Sequence, residues 1–179
     1  MGELIGSKTE ANLLKAFSIE SEQRNKYVYF AEAAKKEGLL QVANILQKNA
    51  LNEEAHAKVW YNILNSGVGS TYDNILEAIE EESKKYEEMY YEFAIEARKE
   101  GFDAIADLFD KVAKIEKGHE EELNKIIEML DNDQIFERTE ETIWECSNCG
   151  YTVISKKAPE ECEVCKLKKE GFRNKQSIQ

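Results

Sequence analysis

The sequence is poor in proline and histidine, and its cysteines are confined to one end. Its 179 residues include one proline, Pro159, two histidines, and four cysteines that all follow residue 145. Scarce proline, together with many Ala, Leu, Glu and Lys residues, favours long helices before the cysteines. No apolar run approaches the length of a membrane span. The N-terminus lacks the basic and apolar regions of a signal peptide, so none is predicted.

The charge is strongly one-sided. There are 36 acidic and 24 basic residues, which give a formal net charge of −12. This balance argues against a nucleic-acid partner, which would need a basic patch. Paired Cys-x-x-Cys motifs in a chain without an export signal indicate metal binding before disulfides. We therefore predict a cytoplasmic protein with neither a membrane nor a nucleic-acid partner.

Four long helices are predicted, as in a helical bundle. A capping box, Ser7-x-x-Glu10, marks the start of the first helix, and Ser70-x-x-Asp73 marks the start of the third. Gly38 is the expected stop of the first helix. The predicted helices cover about 8–37, 40–65, 71–101 and 102–130.

The helical part contains an internal repeat. The segment 27–64 aligns without a gap with 90–127, at a constant offset of 63 residues. Matched positions include the hairpin glycines Gly38 and Gly101. The bundle is therefore predicted to consist of two copies of one helical hairpin, with large apolar residues such as Val42 and Ile105 on core-facing stripes.

Both histidines close a Glu-x-x-His motif, and the two motifs occupy matching positions of the repeat. Residues three apart share a helix face, so each motif directs a carboxylate and an imidazole to one point. A further glutamate interrupts the apolar stripe of each remaining helix. Buried carboxylates are costly unless they are paired or bind metal. Two such motifs with two more glutamates form the ligand set of a carboxylate-bridged di-iron site in a four-helix bundle, although zinc or manganese suits the same donors. The six predicted ligands are Glu20, Glu53, His56, Glu82, Glu116 and His119.

The cysteines follow a change of pattern after Asn132. Two Cys-x-x-Cys turns supply four thiolates, which suit a tetrahedral iron or zinc site. The tail is too short to bury a core, so the metal must supply its folding energy. A structural zinc ribbon is the alternative. We predict two domains, 1–134 and 135–179, with these metal ligands in the second: Cys146, Cys149, Cys162 and Cys165.

Taken in order, these motifs resemble the rubrerythrins along essentially the whole chain. The resemblance implies an all-α, ferritin-like four-helix bundle followed by a small rubredoxin-like β domain. It also implies two non-haem irons in a di-iron centre and one rubredoxin-type iron per chain. The implied activity is a peroxidase that reduces hydrogen peroxide to water and so protects against oxidative stress. Electrons would come from a rubredoxin or an NAD(P)H-dependent reductase, and the chain would form a homodimer or a larger homo-oligomer.

The resemblance also implies roles for single residues. Glu53 and Glu116 would bridge the two irons. Glu20 and His56 would serve one iron, while Glu82 and His119 would serve the other. Tyr27 and Tyr90 would hydrogen-bond to ligand carboxylates. The four cysteines would hold the single iron.

Two positions depart from the family pattern. Lys85 stands where the family usually has a seventh glutamate, which exchanges with the imidazole at the His56 position as the irons change redox state. Lys166 stands where the second cysteine turn usually has a glycine, which suits a positive φ. Two rivals to a peroxidase remain, a di-iron oxidase or ferroxidase that uses dioxygen, and a ferritin-like iron-handling protein whose tail is a zinc ribbon.

Overall fold

A computed structural model describes residues 3–175, and the chain divides into two compact units, Met1–Gly69 and Ser70–Gln179. The first unit contains two helices. The second contains the remaining helices and a small sheet. Within the described residues, no helix is long and apolar enough to cross a membrane.

The first unit is an antiparallel helical hairpin, made of α1 (Lys8–Lys36) and α2 (Leu40–Asn65). The predicted N-cap at Ser7 is confirmed, because its hydroxyl accepts a hydrogen bond from the Glu10 amide at 3.1 Å. The Glu10 carboxylate accepts from the Gly6 amide at 2.6 Å instead of the Ser7 amide, so the box itself is not closed. The chain leaves α1 through Gly38, whose φ of +79° places it in the left-handed region that favours glycine.

The helices of the second unit are α3 (Thr71–Lys84), α4 (Tyr90–Lys99) and α5 (Asp103–Asp131). The Ser70 cap of α3 is confirmed, since its hydroxyl accepts from the Asp73 amide at 3.2 Å. A π-helical segment, Lys85–Met89, joins α3 to α4. The predicted third helix is therefore continuous in direction but interrupted by one wider turn, which the sequence pattern did not predict.

Matching positions of the internal repeat are buried in both units. Ala31, Ala34 and Ala43 are buried in the first unit, and residues 63 positions later, Ala94, Ala97 and Ala106, are buried in the second. Ala43 and Ala106 are both 0% exposed. Small side chains at these points let the two helices of each hairpin approach closely. Both copies of the repeat therefore pack their helices through the same alanines.

Large residues on the predicted core stripes remain exposed within each unit. Val42 is 45% and Ile105 is 46% exposed, and these two residues occupy matching positions of the repeat. Two helices can bury only the residues that face each other, which here are mainly alanines. The stripes were predicted to face the core of a four-helix bundle, not that of one hairpin, so their burial stays a prediction.

A three-stranded antiparallel sheet follows α5. Its strands are β1 (Glu137–Cys146), β2 (Thr152–Lys157) and β3 (Phe172–Asn174), in the order β2-β1-β3. The core of the sheet is Trp144, which is 0% exposed and donates its indole N–H to the Ser155 carbonyl at 3.1 Å. β1 ends at Cys146, paired with Phe172 on β3, so the sheet fixes one side of the cysteine cluster.

Candidate metal centres

The first unit brings together Glu20 from α1 with Glu53 and His56 from α2, hereafter triad one. Its potential donor atoms all lie within 4.8 Å of one another. His56 Nδ1 is 3.0 Å from Glu53 Oε2 and 3.7 Å from Glu20 Oε2. Glu53 and His56 are three residues apart on one helix, which accounts for their shared direction. All three predicted ligands of this hairpin therefore converge on one point.

The carboxylates of triad one compete for a proton. A hydrogen bond between Glu20 and Glu53, with burial and the charge of Glu53, raises the pKa of Glu20. The same hydrogen bond lowers the pKa of Glu53. When both carboxyl groups are ionised, they repel each other. A bound cation would relieve this repulsion.

Trp60 lies one turn beyond His56 on α2 and influences the same site. Its indole N–H acts to lower the pKa of Glu20. The group is buried and meets no partner at hydrogen-bonding geometry within the described residues. The sequence pattern gives no signal of this polar role, because an aromatic residue at a helical core position is usually explained by packing alone.

The second unit repeats this arrangement with Glu82 from α3 and Glu116 and His119 from α5, hereafter triad two. The donor atoms again lie within 4.8 Å of one another. His119 Nδ1 is 3.0 Å from Glu116 Oε2 and 3.9 Å from Glu82 Oε2. The three predicted ligands of the second hairpin therefore also converge.

Lys85 contacts triad two directly. Its Nζ donates to Glu82 Oε1 at 3.1 Å. Burial acts to raise the pKa of Glu82, but hydrogen bonds with Glu116 and Lys85 and nearby positive charge lower it overall. Glu82 Oε2 is buried without a hydrogen-bond partner within the described residues. Buried polar atoms are usually satisfied, so this orphaned oxygen has the character of a ligand atom.

The π-helical segment explains how Glu82 keeps its direction. Glu20 and Tyr27 are seven residues apart, whereas their counterparts Glu82 and Tyr90 are eight apart. Seven residues make about two α-helical turns. The wider turn at Lys85–Met89 absorbs the extra residue, so Glu82 and Tyr90 keep the same relative phase. The Tyr90 ring packs against the rings of Phe93 and Phe109, which also contact each other.

The third cluster contains the four cysteines, whose sulfur atoms all lie within 4.8 Å of one another. Cys146 Sγ is 3.6 Å from Cys165 Sγ, and Cys149 Sγ is 3.6 Å from Cys162 Sγ. Each pair joins one turn to the other. Four convergent thiols at this spacing suit a tetrahedral metal ion.

Both cysteine turns close with the same hydrogen bond and the same backbone conformation. The Gly150 amide donates to the Cys146 carbonyl at 2.9 Å, and the Lys166 amide donates to the Cys162 carbonyl at 3.0 Å. The φ angles of Gly150 and Lys166 are +75° and +63°. Lys166 therefore holds a side chain in the left-handed region, which strains its backbone.

The thiols differ in acidity. The Asn148 side chain and the Leu167 amide lower the pKa of Cys165 to about 6. The Tyr151 amide lowers the pKa of Cys149, but burial and hydrogen bonds to the other thiols raise it to about 12. Donors aimed at sulfur, such as Asn148 and Leu167, stabilise a thiolate and hence a metal–sulfur bond.

Comparison with known proteins identifies the family. The family model described as rubrerythrin matches residues 11–127, and the model of the rubredoxin-like domain of rubrerythrin matches residues 144–173. The chain belongs to the rubrerythrin family. Rubrerythrin membership confirms the predicted fold class, a ferritin-like helical bundle with a small rubredoxin-like domain. It also makes this rubrerythrin relative an iron protein with a role in oxidative stress.

Individual rubrerythrins match over most of their length. A rubrerythrin from Porphyromonas gingivalis is 40% identical, covering 89% of this chain and 86% of that protein. A rubrerythrin from Nitratidesulfovibrio vulgaris is 36% identical and covers 96% of each. A putative rubrerythrin from Methanocaldococcus jannaschii is 34% identical, covering 94% of this chain and 93% of that protein. A nigerythrin structure in a mixed-valence state aligns at 23% identity over 94% of this chain and 86% of that one, with a TM-score of 0.35.

Proposed function

We propose that this rubrerythrin-family protein is a peroxidase that reduces hydrogen peroxide to water at a di-iron centre. The observation that carries the proposal is the pair of matched triads, each with two carboxylates and an imidazole around one point. Triad one and triad two together supply the six ligands, with Glu53 and Glu116 as the bridging carboxylates. The division of the chain into domains at 134/135 and a cytoplasmic location stay predictions.

The residues present fit iron. Each triad offers hard carboxylate oxygens and one imidazole nitrogen, the donor set of non-haem iron sites. The orphaned Oε2 of Glu82 and the carboxyl pair of triad one both gain from a bound cation. The cysteine cluster fits a single iron with four thiolates.

The chemistry divides between metal and protein. When bound, the iron pair supplies Lewis acidity and two electrons that, with two protons, convert hydrogen peroxide to two water molecules. The protein holds the metals in fixed positions through side chains on rigid helices. The Nδ1 atoms of His56 and His119 lie 3.0 Å from Glu53 and Glu116, so each imidazole nitrogen converges with the carboxylates on the position that a metal would take.

The cysteine cluster supplies the second redox centre of the proposal. It would hold a rubredoxin-type iron through which single electrons enter from a rubredoxin or an NAD(P)H-dependent reductase. The chain would work as a homodimer or a larger homo-oligomer. The Asn148 and Leu167 donors to Cys165 support a thiolate-bound iron there.

The test is anaerobic consumption of hydrogen peroxide by iron-loaded protein supplied with an electron donor. Glu116→Ala removes a bridging carboxylate and should abolish turnover. Glu121→Ala removes an exposed carboxylate of the same helix and should leave turnover unchanged. Equal turnover in both variants would refute the proposed site, and turnover with dioxygen alone would favour the oxidase.

A further inference from the structure

Trp60 brings a buried hydrogen-bond donor to the edge of triad one. It follows Glu53 by seven residues and His56 by four residues on α2, so the three side chains share one face of the helix. The indole Nε1 is buried and has no acceptor at hydrogen-bonding geometry in the described part of the chain. Buried N–H groups nearly always have an acceptor, so one is to be sought among the polar groups that α1 brings to this face.

Glu20 on α1 lies level with Trp60. The ring of Tyr61, the residue next to Trp60, packs against the ring of Phe17 at a centroid distance of 5.9 Å. Phe17 lies about one turn before Glu20, so this turn of α2 faces the turn of α1 that ends at Glu20. The indole N–H is near enough to Glu20 to lower the pKa of its carboxyl group. Glu20 is therefore the acceptor that the hairpin offers to Trp60.

Glu20 has a competing partner within triad one. Its hydrogen bond with Glu53 has the largest influence on its pKa, and its Oε2 lies 3.7 Å from His56 Nδ1. A hydrogen bond between two carboxyl groups requires a proton on one of them. Because metal ligands have to be deprotonated, a bound cation displaces that proton. The Glu20 carboxylate is then released from Glu53 and can accept a hydrogen bond from the indole.

We propose that Trp60 positions Glu20 as a metal ligand, because its indole N–H donates to one carboxylate oxygen and leaves the other oxygen to the metal. The inference rests on the proposed function, since it takes triad one to hold a metal ion. A carboxylate that is hydrogen-bonded in this way binds through a single oxygen in a fixed direction. Trp60 is a positioning residue, because it acts on the metal only through Glu20.

The second hairpin has a different residue at the matching position. The offset of 63 residues pairs Trp60 with Leu123, whose side chain has no polar atom. No tryptophan occurs in α5, so this helix cannot supply Glu82 with an indole hydrogen bond. The proposed centre therefore holds its two corresponding glutamates, Glu20 and Glu82, in different ways.

The chain contains a direct reporter of the proposed hydrogen bond. Trp60 and Trp144 are its two tryptophans, so full-length protein labelled with ¹⁵N should give two indole N–H signals. With the cysteine cluster already filled with zinc, further zinc should move the Trp60 proton signal downfield, because the N–H then donates to a charged carboxylate. The Trp144 signal should not move, since its N–H already donates to the Ser155 carbonyl at 3.1 Å. Trp60→Phe assigns the signals.

Variants test whether Trp60 acts through Glu20. Trp60→Phe removes the donor but keeps an aromatic ring, and it should raise the zinc concentration at the midpoint of binding about 10–100-fold. The midpoint is read from the ring signals of the two histidines in protein labelled with ¹³C at histidine. Tyr61→Phe is the matched control, because it removes a hydroxyl group from the adjacent ring, and it should leave the midpoint unchanged. In a Glu20→Ala background, Trp60→Phe should have no further effect, because the acceptor is already gone.

The outcomes separate the inference from the proposed function. If neither histidine ring signal responds to zinc or to ferrous iron, the proposed metal centre is wrong and the inference falls with it. If the histidine signals shift but the Trp60 proton signal does not, the metal centre stands and the role of Trp60 is refuted. Equal weakening by Trp60→Phe with and without the Glu20 carboxylate would also overturn the inference, because Trp60 would then act through helix packing alone.

Discussion

Lys166 adopts the same left-handed backbone conformation in the second cysteine turn as Gly150 adopts in the first, with φ angles of +63° and +75°. The two residues also donate equivalent hydrogen bonds to the carbonyl of the first cysteine in their turns. Only Gly150 lacks the β-carbon that this conformation disfavours. The strain therefore lies on one side of the metal cluster.

Relieving this strain should stabilise the cysteine domain. Lys166→Gly is expected to raise the free energy of unfolding of the metal-loaded domain by about 1 kcal/mol. Loss of thiolate–metal absorbance in guanidinium chloride measures the change. Lys168→Gly is the control, because Lys168 also pairs with Glu161 but has a φ of −74°. An equal gain in both variants would show that charge, not backbone strain, sets the effect.

The buried alanines should be intolerant of larger side chains. Ala43→Leu and Ala106→Leu place extra atoms where both positions are 0% exposed, so each should cost about 1–3 kcal/mol of stability. Thermal unfolding, followed by the helical signal in far-ultraviolet circular dichroism, measures the loss of stability. Ala55→Leu, at an exposed position of α2, should have little effect. A neutral result at Ala43 would contradict close packing of the first hairpin.

Much of the fold could be predicted from local sequence signals. The caps at Ser7 and Ser70 and the stop at Gly38 depend on residues within a few positions of one another, and all three were confirmed. The third strand, Phe172–Asn174, was not predicted. It is only three residues long and depends on pairing with β1, which a local pattern does not reveal.

The π-helical segment shows a different limit. The sequence contained the one-residue mismatch between the Glu20–Tyr27 and Glu82–Tyr90 spacings. A helix-length apolar pattern does not show where one extra residue is absorbed, because neighbouring registers differ by only about 100°. Only the structure places the wider turn at Lys85–Met89.

Deleting one residue from this segment should be tolerated. Removal of the exposed Glu88 restores the seven-residue spacing of the first hairpin, so a regular α-helix would keep Glu82 and Tyr90 in phase. In protein labelled with ¹³C at histidine, added zinc should still shift the ring signal of His119 in this variant. Removal of Asn25 from α1, which has no π-helical turn, should put Glu20 out of phase and weaken the zinc-induced shift of the His56 ring signal. If deleting Glu88 abolishes binding at triad two, the segment has a role beyond absorbing the extra residue.

The contact of Lys85 with Glu82 was also beyond sequence reasoning. A lysine three residues after a glutamate can point along the helix toward the site or extend into water. The structure places Nζ 3.1 Å from Glu82 with the side chain 37% exposed. The convergence of the acidic and imidazole side chains within each triad was easier to predict, because their spacing follows the helical repeat.

Loss of one thiolate should separate the two redox centres. Cys146→Ser in the iron-loaded protein should leave a single oxidation by peroxide intact but stop turnover with an electron donor, because the cysteine-bound iron no longer relays electrons. Ser147→Ala, at the exposed neighbouring position, should turn over normally. Both are followed by peroxide consumption and donor oxidation. Sustained turnover by Cys146→Ser would refute the relay.

We propose that the two triads form a di-iron centre that prefers peroxide. Its most direct test is anaerobic stopped-flow absorbance on fully reduced, iron-loaded protein, mixed separately with hydrogen peroxide and with air-saturated buffer. Peroxide should oxidise the protein much faster than dioxygen does, and the colour of the ferric cysteine site should return with it. Oxidation by peroxide that is no faster than oxidation by dioxygen would refute the proposed peroxidase and favour an oxidase or an iron-handling protein.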